Sequence, residues 1–266
     1  MSADFTGFLD SCLREASAVA VRLRGAGTAS VKEDPNQVVT EADLAVSAVL
    51  TARIAEAFPG HAILEEESGA RPGDGITWVV DPLDGTSNYA AGSPLYGVMM
   101  AAVGPEGVIA GGMALPAFGA VYLAGAGRGA TRDGKPLPRL PSTAPERSLV
   151  AYGMDKVPEM DVEGRLVAAL GTACLGVRMS NSVFDLCMVA DGAYGAFVHR
   201  NCRIWDIAAA VCVLSECGGV CTDLAGRPLD LTDPVAQADR VFDVCLATAA
   251  VHPAVMAALR SVEEDR

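Results

Sequence analysis

The first half of the chain begins with two amphipathic segments and continues with short apolar runs. Apolar residues recur at helical spacing over residues 3–24, which predicts a helix there. A second helix is predicted over residues 41–57, with Thr40 as its N-cap. Apolar runs between Gly or Pro turns then predict strands over residues 76–80, 96–103, 108–115 and 120–124.

The second half alternates between strand and helix patterns. Residues 136–145 contain four prolines and predict a linker or an exposed loop. A boundary there divides the chain into an N-terminal α+β half, residues 1–145, and a C-terminal α/β half, residues 146–266, as two domains or as parts of one unit. The overall order predicts stacked layers of helix and sheet. Strands are predicted over 149–153, 193–198, 220–222 and 244–247, and helices over 162–170, 183–190, 204–217 and 253–262.

Composition and charge exclude several classes of protein. With 266 residues, 51% of them hydrophobic, the chain can bury a full core. Its formal net charge of −13 argues against direct binding to nucleic acid or to an anionic membrane. The eight cysteines include no CxxC pair and lie mostly in apolar runs, which indicates buried thiols in a reducing compartment. No apolar run could span a bilayer and no signal peptide is evident, so we expect a cytoplasmic protein.

The most informative segment, residues 78–88, carries two aspartates three positions apart. An apolar strand ends at Asp81, and the proline after it forces a turn that can direct Asp84 to the same place. If a helical turn begins there, the amides of Gly85 and Thr86 would form an anion site at its N-terminus. Two carboxylates beside an anion site suit magnesium-assisted phosphoryl chemistry. The alternative interpretation is an Asx-type turn with two exposed aspartates.

Further acidic positions bear on this interpretation. Glu65, Glu66 and Glu67 follow a short apolar run, and like charges so crowded are destabilising unless they are solvated or metal-bound. If the strand continued, Glu66 would face away from the other two. Asp206 opens an apolar helix and Asp43 stands at the start of the second predicted helix. Both aspartates have an alternative role as a helix cap or a first-turn acid.

Four segments, in order, resemble the inositol monophosphatase family of lithium-sensitive, magnesium-dependent phosphomonoesterases. They are residues 38–43, 66–68, 81–86 and 205–219. The string Asp-Pro-Leu-Asp-Gly-Thr at residues 81–86 is highly specific, and the Trp-Asp pair at 205–206 supports it. The resemblance implies an alternating αβαβα sandwich of the inositol monophosphatase/fructose-1,6-bisphosphatase type, and a dimer or tetramer, with a homodimer as our expectation.

The resemblance also implies a ligand set for two or three Mg²⁺ ions. Glu66, Asp81 and the carbonyl of Leu83 would hold one ion, and Asp81, Asp84 and Asp206 a second. Glu66 would help to place a third, largely hydrated ion. Four converging carboxylates and a phosphate dianion would together carry about −6, so about three Mg²⁺ would neutralise the assembly.

Catalytic and phosphate-binding roles follow from the same resemblance. Thr86, supported by Asp43, would orient the attacking water together with Glu66, and the amides of Gly85 and Thr86 would receive the phosphate. Lys32 matches a lysine near the site. We therefore predict hydrolysis by metal-activated water in an in-line displacement, with no covalent phosphoenzyme.

The alcohol part of the substrate is less well defined by the sequence. In inositol-hydrolysing relatives an acid seven residues before the Trp-Asp aspartate receives sugar hydroxyls, and His199 stands at that position here. Ser180 and Ser182 are predicted on another substrate-facing loop, and Asp206 is predicted to contact the substrate as well as a metal ion. His199, Arg200 and Arg203 could instead bind a second anionic group, unless the arginines pair with surface acids.

Several functions therefore stay open at this stage. An inositol-1-phosphate-type substrate is the main hypothesis. Fructose 1,6-bisphosphate, histidinol phosphate and the nucleotides NADP and 3′-phosphoadenosine 5′-phosphate are the alternatives. A regulatory binding protein derived from the family is the non-enzymatic hypothesis, against which the complete set of carboxylates argues.

Overall fold

The two predicted N-terminal helices form, and each buries one face. The computed structural model of the chain describes residues 4–25, 30–31, 38–155 and 157–264, so Lys32 lies outside the described residues. Helix α1 (Phe5–Leu23) buries Leu9, Leu13 and Ala16 at the spacing of one helical face. Helix α2 (Glu41–Ala57) begins at the predicted cap, because the Thr40 side chain accepts from an amide of the first turn.

The remaining helices lie within a few residues of the positions that the sequence predicts, apart from one short helix after the aspartate motif. This short helix, α3 (Thr86–Ala90), starts directly after Gly85, as the anion-site hypothesis requires. The five helices are α3 (Thr86–Ala90), α4 (Met160–Ala173), α5 (Val183–Ala190), α6 (Ile204–Glu216) and α7 (His252–Glu264).

Fifteen strands are described, and the longer ones match the apolar runs. The sequence did not predict the short strands β1, β2, β4, β9, β10 and β12, because segments of two or three residues show no period. The strands are β1 (Ser30–Val31), β2 (Val38–Val39), β3 (Ala62–Glu65), β4 (Gly69–Arg71), β5 (Thr77–Asp84), β6 (Gly97–Gly104), β7 (Gly107–Leu115), β8 (Ala120–Gly125), β9 (Ala130–Arg132), β10 (Lys135–Pro136), β11 (Leu149–Gly153), β12 (Gly176–Arg178), β13 (Tyr194–Cys202), β14 (Val220–Asp223) and β15 (Phe242–Ala247).

Two large sheets divide the chain near residue 145. The first has eight strands in the order β10-β9-β8-β7-β6-β5-β3-β4, and its neighbours are antiparallel apart from β3 and β5. The second has five strands in the order β12-β11-β13-β15-β14. In it, β11 runs parallel to both β12 and β13, so the carboxyl ends of β11 and β13 meet at one edge.

The layers alternate as the family resemblance implies. Helices α1 and α2 cover one face of the first sheet, and α5 and α6 fill the space between the two sheets. Helices α4 and α7 cover the outer face of the second sheet. The middle layer is a shared core, since Val79 and Tyr122 of the first half belong to the same buried cluster as Ile207 and Leu246 of the second.

No helix among the described residues is both long enough and apolar enough to cross a lipid bilayer. All eight cysteines lie in described segments, where they are free thiols, and seven of them are buried. Their burial agrees with the interpretation of these cysteines as small core residues.

Candidate active site

Strand β5 ends in a bend that brings two aspartates to one place. Its pairing with β6 shifts register between Asp81 and Asp84, where Pro82 and Leu83 intervene. Asp81 is almost fully buried, and its Oδ1 accepts a hydrogen bond from the Leu83 amide at 3.0 Å. The alternative interpretation of two exposed aspartates is therefore wrong.

Asp206 joins these two residues from the other half of the chain. Single ligand oxygens of Asp81, Asp84 and Asp206 lie within 4.8 Å of one another. Asp206 is the third residue of α6, and its Oδ2 accepts from the amide of Arg203 at 2.6 Å. Asp84 Oδ1 accepts from the amide of Val183, at the start of α5. Helices α5 and α6 thus fix two of the three carboxylates through backbone amides.

The three carboxylates repel one another in this arrangement. Burial, together with Glu66 and the other aspartates, raises the pKa of Asp81 well above its usual value. Burial also raises the pKa of Asp84 and of Asp206 to about 7, although each accepts an amide hydrogen bond that acts in the opposite direction. A cluster of hard oxygen donors with uncompensated negative charge fits a divalent cation such as Mg²⁺.

One cavity is lined by these three carboxylates and by most of the other candidate site residues. No Lys or Arg side chain lines it within the described residues. Its lining comprises Glu66, Asp81, Leu83, Asp84, Gly85, Thr86, Ser87, Asn88, Asp155, Asn181, Ser182, Leu186, Phe197, His199, Asn201 and Asp206.

The three consecutive glutamates have different environments. Strand β3 ends at Glu65, which is fully buried and accepts hydrogen bonds from Ser47 Oγ at 3.0 Å and from the Ser68 amide at 2.7 Å. The expectation that crowded glutamates must be solvated or metal-bound is wrong for Glu65, because its hydrogen bonds close the turn after β3. Glu66 lies in that turn and lines the cavity.

Thr86 connects the aspartate motif to helix α2. Its Oγ1 lies 2.9 Å from Asp43 Oδ1 and 2.8 Å from the carbonyl oxygen of Leu83, so it can donate to either. Asp43 is fully buried, and its Oδ2 accepts from the amide of Thr40. Burial raises the pKa of Asp43 despite these hydrogen bonds. Asp43 therefore combines the capping role with the contact to Thr86 that the resemblance implies.

Gly85 permits the close approach of α3 to the loop that contains Ser182. Its φ of 80° lies in the left-handed region, and a Cβ atom here would fall 2.8 Å from the Ser182 side chain. The first amides of α3 follow directly, and the amides of a first helical turn lack intrahelical acceptors. The described geometry thus leaves Gly85 and Thr86 beside the carboxylates at the start of a helix.

Among the predicted substrate residues, Ser182, His199 and Asp206 line the cavity and Ser180 does not. The carbonyl of Ser180 accepts from Asn88 Nδ2 at 2.7 Å. Asp155 was not among the residues predicted from the sequence, and its Oδ2 lies 3.3 Å from His199 Nε2. The sequence signal that could have identified Asp155 is its position, two residues after the end of the strand predicted over residues 149–153.

Arg200 and Arg203 point away from the cavity, so the hypothesis that they bind a second anionic group is wrong. The Arg200 Nη1 atom lies 2.6 Å from Oε1 of the buried Glu163, and Arg203 donates to the carbonyl of Asp239. Side chains alternate along a strand, which separates His199 from Arg200 on opposite faces of β13. Arg200 does pair with an acid, but with the buried Glu163 and not with the surface acid of the alternative interpretation.

The layered fold and the oxygen-rich cavity are those of a metal-dependent phosphoric monoester hydrolase. The sequence model of the inositol monophosphatase family matches residues 11–263. The chain therefore belongs to the inositol monophosphatase family, whose members hydrolyse phosphate monoesters.

Individual relatives agree with this assignment. Inositol-1-monophosphatase ImpA of Mycolicibacterium smegmatis is 35% identical and the match covers 82% of each chain. A putative Nus factor SuhB of Neisseria meningitidis is 31% identical over 92% of this chain and 98% of its own. A solved IMPase/NADP phosphatase complexed with Mg²⁺ and phosphate has a TM-score of 0.83 at 23% identity, over 95% of this chain and 93% of that one, and so shares the fold.

Proposed function

We propose that this protein catalyses the magnesium-dependent hydrolysis of a small-molecule phosphate monoester of the inositol-1-phosphate type. The observation that carries the proposal is the convergence of Asp81, Asp84 and Asp206 in one cavity, which is also lined by Thr86, the hydrogen-bond partner of the buried Asp43. The similarity to an inositol-1-monophosphatase supports the substrate type.

Residues from both halves of the chain would hold two or three Mg²⁺ ions. Asp81, Asp84 and Asp206 would bind through their carboxylates, Glu66 would contribute a further carboxylate, and Leu83 its carbonyl oxygen. Bound Mg²⁺ would polarise the phosphoryl oxygens, lower the pKa of water and stabilise the developing charge on the leaving oxygen. The mutual repulsion of these carboxylates is the reason to expect strong cation binding.

The protein's own groups would orient the reactants. When the Thr86 hydroxyl donates a hydrogen bond to Asp43, the lone pairs of its Oγ1 stay available to accept a hydrogen bond from the attacking water. Glu66 would act with Thr86 to position that water. The amides of Gly85 and Thr86 would hold the phosphate at the start of α3.

Phosphate release with and without Mg²⁺ tests this proposal. The substrates are inositol 1-phosphate, fructose 1,6-bisphosphate, NADP, histidinol phosphate and 3′-phosphoadenosine 5′-phosphate. We expect Mg²⁺-dependent release that is fastest from inositol 1-phosphate, and inhibition by lithium in the same assay. No release from any of them by folded, Mg²⁺-bound protein would contradict the proposal. Faster phosphate release from a bisphosphate or a nucleotide would mean that the substrate is of that type and not of the inositol-1-phosphate type.

A regulatory binding function is the second candidate, because one relative is named a putative Nus factor. The complete carboxylate set favours catalysis. A variant without catalysis, Asp81→Asn, would separate the two functions in cells that lack this protein. Restoration of growth by the inactive variant would favour the binding function.

We also propose that the protein is a cytoplasmic homodimer. The free, mostly buried cysteines support a reducing compartment, and the family resemblance supports the dimer. Sedimentation analysis of the purified protein tests the oligomeric state, and a monomer at micromolar concentration would contradict it.

A further inference from the structure

The wall of the cavity opposite the aspartate cluster is organised around Asp155. Strands β11 and β13 are parallel and pair Gly153 with His199, so Asp155 leaves β11 beside the histidine. Asp155 Oδ2 lies 3.3 Å from His199 Nε2, and its Oδ1 accepts from Asn181 Nδ2 at 3.2 Å. Three separate segments thus converge on one carboxylate.

The backbone around this carboxylate carries the marks of a constrained site. A Cβ atom on Gly153 would fall 2.5 Å from the His199 ring, so this glycine leaves the space in which the imidazole lies. Asn181 and Asn201, which line the same wall, have φ values of 54° and 73°. Non-glycine residues in the left-handed region are uncommon and concentrate at functional sites.

The pair also has a defined charge pattern. A carboxylate is an acceptor only, so the His199 nitrogen next to it carries the proton and donates it. Burial acts to raise the pKa of Asp155, but hydrogen bonds from His199, Asn181 and Asn201 hold it below its ordinary value. Asp155 is therefore ionised, and its remaining lone pairs are available to hydrogen-bond donors in the cavity that it lines.

Taking the proposed phosphatase function as given, we propose that Asp155 is a specificity-determining residue that accepts hydrogen bonds from hydroxyl groups on the alcohol part of the substrate. His199 is a positioning residue that holds this carboxylate toward the cavity. The substrate class is the phosphate monoester of an uncharged polyol. This differs from the expectation that His199 itself contacts the substrate.

Charge explains why a polyol fits better than a second phosphate or an amine. A second phosphate would lie next to Asp155 in a cavity whose described lining contains no Lys or Arg. An ammonium group would compete with His199 for the same oxygen atoms. Hydroxyl groups can donate to the free lone pairs of Asp155 without displacing its partners.

The test is the ratio of kcat/KM for inositol 1-phosphate to that for p-nitrophenyl phosphate, whose leaving group has no aliphatic hydroxyls. We expect the isosteric Asp155→Asn to lower this ratio about 10- to 100-fold, the loss typical of one hydrogen bond to a charged group. Asp161→Asn is the matched control, since it removes an equal charge from an exposed position on α4. Circular dichroism and Tm measurements show whether each variant is folded.

His199 variants separate positioning from direct contact. We expect His199→Ala to lower the ratio as Asp155→Asn does, and His199→Gln to restore most of it, because an amide can still donate to Asp155. A folded Asp155→Asn protein with an unchanged ratio, or with equal losses on both substrates, would overturn the inference. A His199→Gln variant as impaired as His199→Ala would overturn the positioning role.

Calorimetry keeps the inference distinct from the proposed function. Binding of inositol 1-phosphate and of inorganic phosphate is measured in Ca²⁺ for the wild type and for Asp155→Asn. A wild type that hydrolyses neither ester contradicts the proposed function alone. The role of Asp155 then rests on a selective loss of affinity, about 10-fold or more, for inositol 1-phosphate relative to phosphate, and equal affinities in both proteins would overturn it.

Discussion

The two ends of the cavity hold their carboxylates in opposite ways. Asp81, Asp84 and Asp206 lie close together, and their hydrogen-bond partners are backbone amides such as those of Leu83, Val183 and Arg203. At the other end, Asp155 has an imidazole and the amide side chains of Asn181 and Asn201 as partners. One end therefore has excess negative charge, and the other is balanced by the protein itself.

This difference separates chemistry from recognition. Excess charge that backbone amides and His199 compensate only in part prepares one end for cations, at a cost to the stability of the metal-free protein. A balanced carboxylate is already ordered and can accept hydroxyl groups without a cation. Loss of a carboxylate should consequently stabilise the metal-free protein at the first end and destabilise it at the second.

The largest expected effect comes from Asp81→Asn. We expect Mg²⁺-dependent turnover to fall by about 10³-fold, because a metal ion contributes several kcal/mol of transition-state stabilisation. The same variant should raise the Tm of the protein in EDTA, since it removes one of the repelling charges. Phosphate release and thermal denaturation measure the two effects.

Asp155→Asn is the comparison for that experiment. It should lower the Tm in EDTA, because His199 loses its charged partner. If both variants shifted the Tm in the same direction, the contrast between the two ends of the cavity would be wrong.

A smaller effect is expected from Thr86→Ala. Loss of the hydroxyl that joins Asp43 to the cavity should lower kcat by about 100-fold, the lower range for a group that assists proton transfer. Thr86→Ser keeps the hydroxyl and should retain most of the activity. Equal losses in the two variants would indicate that the methyl group, and not the hydroxyl, is needed.

Local sequence predicted the aspartate end of the cavity well. Asp81 to Thr86 are contiguous, and the proline and glycine between them fix the bend and the start of α3. Thr40 and Asp43 likewise form a capping box that depends only on neighbouring residues. Family resemblance then related these segments to Asp206, which no local pattern could have done.

The other end of the cavity could not be predicted because it depends on long-range pairing. Asp155 meets His199 only because β11 and β13 are parallel and in one particular register. Nothing in the two sequences specifies that register. The period of two along β13 did contain the information that His199 and Arg200 face opposite sides, so the hypothesis that grouped them at one anion site was wrong on grounds already present in the sequence.

Variants of Glu65 and Glu66 test whether these neighbouring glutamates have different roles, one in stability and the other in catalysis. Glu66→Gln should lower Mg²⁺-dependent turnover and should not lower the Tm in EDTA, because it removes one of the charges that repel Asp81. Glu65→Gln should lower the free energy of unfolding by about 1–3 kcal/mol, because a buried acceptor of several hydrogen bonds is impaired. Its catalytic rate, measured below the Tm, should change much less than that of Glu66→Gln. The reverse pattern would mean that Glu65 faces the metal ions.

The smallest effect concerns the pH dependence of the metal-free protein. Burial, against the amide hydrogen bonds of Val183 and Arg203, raises the pKa of Asp84 and Asp206 to about 7, whereas unfolded aspartates titrate near about 4. Such groups add stability that is fully present below about pH 4 and is lost as the pH rises through about 7. In EDTA we expect a lower Tm at pH 8 than at pH 5.5. The Tm should fall by about 2–4 °C for each kcal/mol of unfolding free energy that is lost.

Saturating Mg²⁺ should reverse this change of the Tm with pH. Metal ions bind the deprotonated carboxylates, so the metal-bound protein gains stability with rising pH over the same range. Asp206→Asn removes one titrating group and should flatten the slope in EDTA, whereas Asp161→Asn at its exposed position should not. If Asp206→Asn left the pH dependence of the Tm in EDTA unchanged, the titration would arise elsewhere in the chain. The excess charge at the aspartate end would then be compensated by the fold, as it is at Asp155.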